Sequence, residues 1–376
     1  MPTYFAALRR RQFLAAGAAS VLPLPALAQG RHDGRPLTIV QPFDASPAEQ
    51  DVSKDFLAGA RAAWQEINGR GGVQGRAVQH VALETDGTAE GVQRACRAAL
   101  GDPACVALSG SVGNAVAVHA TQALAREEEA IAHAAPWLQA GGAAIDAHTF
   151  PIFAGRREQI AHALKSLAVM GVQEVGAVFA SQAAEPYRRE VADSAAAAGL
   201  KLSVYRAEGD LVRLGQRLGP ASPALLLFLG GTPELVQFTQ GLERQARQRY
   251  VIALGEVNLQ TVLQMGGGRA IPIIATQPVP HVGASLPVVR SYRVAMARLF
   301  DEPPSALSLA GYIAARYTFE VLASVDAPLT RASALAAFQR RATLDVGGYR
   351  VRFDEQGRSA GFVSQSMLTA DGRVVG

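Results

Sequence analysis

The chain has 376 residues, of which 49% are hydrophobic and 18% charged, a globular balance that excludes an intrinsically disordered protein. Its mean hydropathy of +0.11 is too mild for several membrane spans. Three of the four net positive charges are Arg9, Arg10 and Arg11; beyond them the balance falls to +1, with no basic stripe of the kind nucleic-acid binding requires.

Residues 1–28 read as a targeting peptide: the arginine run, a weakly apolar stretch over 13–22, and the small-x-small ending Ala26-Leu27-Ala28. Arg10-Arg11-Gln12-Phe13-Leu14 is similar to a twin-arginine export signal, although Arg9 and Ala15 depart from it; an ordinary Sec signal with a basic start is the alternative. Either route places the protein in the periplasm, cleaved after Ala28. Export also leaves two states open for Cys96 and Cys105, a disulfide or two buried thiols.

From Pro36 onward, short apolar runs alternate with helical patterns. Strands are expected at 37–40, 78–83, 106–108 and 131–134, with helices at 51–67, 89–100 and 115–125 between them. The alternation restarts after Pro151: a helical stripe through Ile160, Leu164 and Leu167, strands at 175–179, 202–205, 225–229 and 271–275, and helices at 187–198 and through Leu235, Phe238 and Leu242. Two such sets of about 120 residues predict two doubly wound α/β lobes. Long helical patterns over 286–300 and 306–323 follow, then a shorter one over 331–340. Strands at 346–353 and 362–368, separated by Asp354-Glu355-Gln356-Gly357, read as a terminal hairpin.

The sequence has no Gly-x-Ser-x-Gly elbow, His-Glu-x-x-His pair or P-loop, so neither enzyme chemistry nor a cofactor is expected. The seven histidines lack metal-ligand spacing, and His119 and His133 read as packed core residues. Glu127-Glu128-Glu129 reads as a solvated face, and Gly266-Gly267-Gly268 as a turn after a helix.

Residues 58–75 read AGARAAWQEINGRGGVQG, a helix ending near Asn68-Gly69 followed by a glycine turn. This string resembles the branched-chain amino-acid binding family of periplasmic proteins, the type I solute-binding proteins of ABC importers. Residues 109–117, Ala134-Ala135-Pro136, 150–153, Gly255-Glu256-Val257, Gly311-Tyr312 and 353–357 are similar to family segments in the same order. The resemblance spans 36–376 and implies two lobes closing on a small solute. It places lobe 1 at 36–153 and 279–348 and lobe 2 at 154–278 and 349–376, with crossings near Phe153, Gln277 and Tyr349.

The resemblance also implies a site. Asn114 stands where a serine usually takes the ligand carboxylate, Ala135 at a carbonyl and amide position, Trp137 at a second carboxylate contact, and Glu256 as the acid facing the ligand ammonium. The alternatives are a helix cap at Asn114, packing at Trp137 and a solvated loop residue at Glu256. Val52 and Ala183 stand where the family carries aromatic walls, which implies a wider pocket open to aromatic or larger organic acids and amides. The expected partners are a small solute and the permease of an ABC importer. A sensor of the same fold that presents its solute to a signalling receptor is the runner-up, followed by an exported enzyme. The export reading predicts a mature N-terminus at Gln29, read by mass spectrometry. Replacing Arg10 and Arg11 by Lys traps the precursor if export is twin-arginine, and normal export of that variant favours Sec.

Overall fold

The computed structural model describes residues 34–376 apart from 128–129, 141–144, 269, 360 and 370–372, and apart from the side chain of Ala183. The targeting peptide, Glu128 and Glu129 therefore lie outside the described residues.

The first lobe is wound from β1 (Leu37–Asp44), α1 (Gln50–Gly69), β2 (Val78–Thr85), α2 (Ala89–Gly101), β3 (Cys105–Ser109), α3 (Asn114–Leu124), β4 (Ala132–Ala134) and β5 (Thr149–Phe150). Its five strands run parallel in the order β2-β1-β3-β4-β5. β3 is buried along its whole length, as a parallel strand covered on both faces must be. α1 buries Val52, Phe56, Ala60, Ala63 and Ile67, a stripe at helical spacing.

The second lobe contains α4 (Arg156–Val169), β6 (Glu174–Phe179), a 3-10 turn (Gln182–Tyr187), α5 (Arg188–Ala197), β7 (Lys201–Arg206), α6 (Leu211–Arg217), β8 (Leu225–Leu229), α7 (Thr232–Leu242), β9 (Tyr250–Ala253), α8 (Leu259–Gln264) and β10 (Ile273–Gln277). The chain then returns to the first core with α9 (Pro287–Leu299), α10 (Ala306–Ala323), α11 (Arg331–Gln339), β11 (Leu344–Val346) and β12 (Tyr349–Val351). Finally β13 (Ser364–Leu368) and β14 (Val374–Val375) join the second sheet, whose order is β14-β13-β10-β9-β8-β6-β7. β13 pairs antiparallel with β10, from Ile273 opposite Leu368 to Gln277 opposite Ser364.

Two local expectations are corrected. The terminal hairpin is not formed between 346–353 and 362–368. β12 instead folds back on β11 across Gly347 and Gly348, both at positive φ, while β13 goes to β10. Tyr349, named as a crossing, belongs with Val351 to the first core, so the chain reaches the second sheet only at Ser364. α1 ends at Gly69, where the sequence placed it, and the Asn68 side-chain amide bonds both backbone groups of Val78, at 2.8 Å each, tying α1 to β2.

The signature glycines are explained by packing. A Cβ on Gly59 would lie 1.7 Å from the Ser308 carbonyl oxygen, and one on Gly311 would lie 1.9 Å from that of Phe56. α1 and α10 therefore cross with their backbones in contact. Cys96 and Cys105 are both buried free thiols in one core cluster, so no disulfide joins them.

The crossings are knotted by two side chains. The Tyr349 hydroxyl lies 2.8 Å from the Ile152 carbonyl and 3.3 Å from that of Pro278, so it bridges the first two crossings. Gln159 donates to Gln139 Oε1 at 2.7 Å and to the Ala154 carbonyl at 3.2 Å, while its own Oε1 accepts the Gly255 N–H at 2.7 Å. Tyr349→Phe leaves two buried carbonyls without this donor. The expected loss is about 1–2 kcal/mol of stability, seen as a lower urea midpoint at unchanged slope.

Candidate functional site

Six chain segments meet at a cleft of about 530 Å³ between the lobes, a size suited to a small ligand. The first lobe contributes Pro47, Ala48 and Glu49, which lead into α1, and Asn114 at the start of α3. The second contributes Arg156 at the start of α4, Tyr187, Gly230, Gly231 and Glu234 around the start of α7, and Glu256 after β9. These are the C-terminal ends of parallel strands, where doubly wound sheets hold their ligands.

Arg156 is the central charge. Its side chain is 6% exposed, its Nη2 is ion-paired to Glu256 Oε2, and its guanidinium carbon lies 3.7 Å from the centre of the Tyr187 ring. Its Nη1 is buried without a hydrogen-bond partner. Glu234 is already engaged, its Oε2 accepting the Gly231 N–H at 2.8 Å. Glu49 is different: burial pushes its carboxyl up to about 8, reinforced by the negative charges of Glu256, Asp44 and Asp51 and opposed by Arg156.

Around the cleft, the first turns of α1 already touch the second lobe. Asn258 Nδ2 donates to Asp55 Oδ2 at 3.0 Å, and Ser305 Oγ donates to the same oxygen at 2.6 Å.

Of the four residues inferred from the sequence, the structure brings Asn114 and Glu256 to this cleft. Asn114 does not cap α3. It is the first helical residue after Gly113, and its Oδ1 is buried without a partner. Ala135 and Trp137 are not brought there. Ala135 is fully buried at φ +48, and its N–H is donated to the Phe150 carbonyl at 3.0 Å. Trp137 is 2% exposed, its ring packs edge-on against Phe56 and Phe153, and its N–H is donated to Ser111 at 2.8 Å. Val52, named as a pocket wall, is buried in the first core.

Sequence reasoning missed Arg156, Glu49 and Tyr187. The available signal for Arg156 was a basic residue directly after Gly155, at the first turn of a helix opening just past a crossing. Glu49 carried none, since an acid before a helix reads as a solvated end. His133 is the packed histidine expected, hydrogen-bonded to Ser111 and 3.4 Å from Thr121 Oγ1. Among the described residues no cluster of His, Cys, Asp and Glu is arranged to hold a metal ion, and no helix is long and apolar enough to cross a membrane.

Two doubly wound parallel lobes with a cleft at their strand ends define a type I periplasmic binding protein fold. The chain belongs to the periplasmic binding protein family, whose model matches residues 39–370. No curated protein matches it. Solved structures that share the fold include an extracellular ligand-binding receptor from Verminephrobacter eiseniae, at 17% identity and a TM-score of 0.80, over 91% of this chain and 100% of that one. A possible leucine/isoleucine/valine-binding protein from Rhodopirellula baltica matches at 18% identity and TM-score 0.77, over 92% and 97%. The substrate-binding protein of a branched-chain amino acid transporter from Streptococcus pneumoniae, solved with isoleucine, matches at 13% and 0.75, over 90% and 97%. The family and these relatives bind solutes, and this chain is a binding protein rather than an enzyme.

The Glu49 environment gives a pH dependence. An unfolded glutamate titrates near 4.5, whereas Glu49 in the folded chain titrates at about 8. Between these values the folded state holds a proton that the unfolded state has lost, so stability falls as pH rises through that window. Glu49→Gln removes this contribution. In thermal melts at pH 5, 7 and 9, the variant is expected to gain stability over the parent progressively with pH. A difference that does not vary with pH would contradict the assignment.

Proposed function

We propose that the protein captures a small amino acid, or a related organic acid or amide, between its two lobes in the periplasm and delivers it to the permease of an ABC importer. The carrying observation is one cleft lined from both sides by polar groups: Glu49 and Asn114 from the first lobe, Arg156 and Glu256 from the second. A solute there touches both lobes, so its binding energy favours the closed arrangement over the open one. That closed form is what a permease reads. In this reading the lobes are residues 36–153 with 279–348 and 154–278 with 349–376, with 349–353 packed as hinge against the first core. The branched-chain amino acid transporter relative solved with isoleucine supports the ligand class and the importer role.

The test is a thermal-shift screen of amino acids, amides and organic acids. A ligand that binds only the folded state adds about 2.7 kcal/mol at a hundred times its Kd, which raises Tm by roughly 3–4 °C in a chain of this size. The expected outcome is a hit whose shift is lost when Glu256 and Arg156 are changed together. A screen in which no solute of these classes moves Tm would sink the proposal.

A further inference from the structure

Away from the cleft, the first lobe carries a groove of about 490 Å³ between α1 and α9. Its floor is small and apolar, with Ala62 and Gly69 from α1 and Ala295 from α9. Its rim is cationic, with Arg70 from α1 and Arg290 and Arg298 from α9. The carboxylate in its lining, Glu66, is already spent: it pairs with Arg70 at 2.6 Å and accepts the Tyr312 hydroxyl. Arg290, Arg298 and the neighbouring Arg293 are exposed, and among the described residues no carboxylate pairs with them.

The outward face of α9 is unlike that of an ordinary solvated helix. PVVRSYRVAMARL holds three arginines and no acid, although an acid in the first turn would stabilise the helix through its dipole. Val294, 53% exposed, stands midway between Arg290 and Arg298, and Leu299, 41% exposed, lies at the end of the groove. Arginines interleaved with exposed apolar side chains on one helix face are the pattern of helices that lie on membranes. A second copy of the chain fits poorly. Two-fold pairing of α9 about Val294 sets Arg290 of each copy against Arg298 of the other, like charge on like. A small free anion would fill little of the groove and leave Val294 in water. An extended anionic surface with an apolar layer beneath it satisfies the arginines and the valine together.

We propose that the α1–α9 face docks the protein on an anionic phospholipid bilayer, with Arg290, Arg293 and Arg298 on headgroup phosphates and Val294 at the apolar boundary. The groove shares no lining residue with the cleft, so docking leaves the solute site free. This goes beyond the solute reading and does not depend on it. For a carrier, the consequence is a search for an embedded permease in two dimensions instead of three.

The experiment sediments the mature chain with vesicles of phosphatidylethanolamine and phosphatidylglycerol, and with vesicles of phosphatidylcholine alone, at low and at high salt. Binding is expected on the anionic vesicles only, and is expected to fall away at high salt. One arginine at an anionic surface contributes about fivefold in affinity, so Arg290→Gln with Arg298→Gln is expected to weaken binding about 25-fold. Val294→Asp sets a carboxylate against the headgroups and is expected to weaken it about fivefold or more. Arg189→Gln with Arg213→Gln removes the same charge from two exposed positions of the second lobe and is expected to leave binding unchanged. The substituted side chains are exposed, so each variant is expected to keep the parent Tm. No binding of the parent to anionic vesicles, equal binding to phosphatidylcholine, or an equal loss in the second-lobe variant overturns the proposal. Concentration-dependent dimerisation that the Arg290 and Arg298 changes abolish also overturns it and assigns the groove to a second copy. A solute screen without a hit would leave the vesicle result standing.

Discussion

The side-chain amide of Gln159 is where the hinge and the cleft become one object. Its nitrogen side holds Gln139 and the Ala154 carbonyl at the exit from the first lobe, and its oxygen holds the N–H of Gly255. Gly255 precedes Glu256, and Gln159 lies three residues after Arg156 on α4. The first turn of one helix thus sets both members of the ion pair and anchors them to the crossing. All of this is buried, so the amide has no water to replace a lost partner. Arg156 and Glu256 thus share one anchor, and their mutual geometry is set within the second lobe.

Most of the fold was legible because parallel sheets write themselves as short apolar runs between helical stripes. Leu225–Leu229 and Glu174–Phe179 are such strands, and the late helices α9 and α10 fall where the period predicted. The end of the chain was misread for a physical reason. A turn sequence at 354–357 looks like a hairpin whichever strand the following segment pairs with, and pairing with β10 is a long-range choice that local patterning does not encode. Gly347-Gly348, the actual hairpin turn, was read as part of a strand.

The site was half legible. Spacing from family segments led to Asn114 and Glu256, which line the cleft, but also to Ala135 and Trp137, which the core absorbs. What decides between these outcomes is where a backbone N–H is spent, and that is a property of strand neighbours such as Phe150 and of the Ser111 loop. Arg156 was invisible because a basic residue in the first turn of a helix runs against the helix dipole and invites no functional reading. Its placement there becomes intelligible only once Glu256, a hundred residues later, is seen to neutralise it.

Asp55 ties the two lobes together beside the cleft. Its carboxylate accepts from Asn258 of the second lobe and from Ser305 of the first through the same oxygen. Were the lobes to part, Asn258 would withdraw and Ser305 would remain on the carboxylate. Lobe-to-lobe adhesion at this point is one hydrogen bond, so in the proposed reading a solute's own contacts, rather than a protein clasp, would set its dwell time. For the carrier proposed above, such a contact would favour repeated release over tight storage.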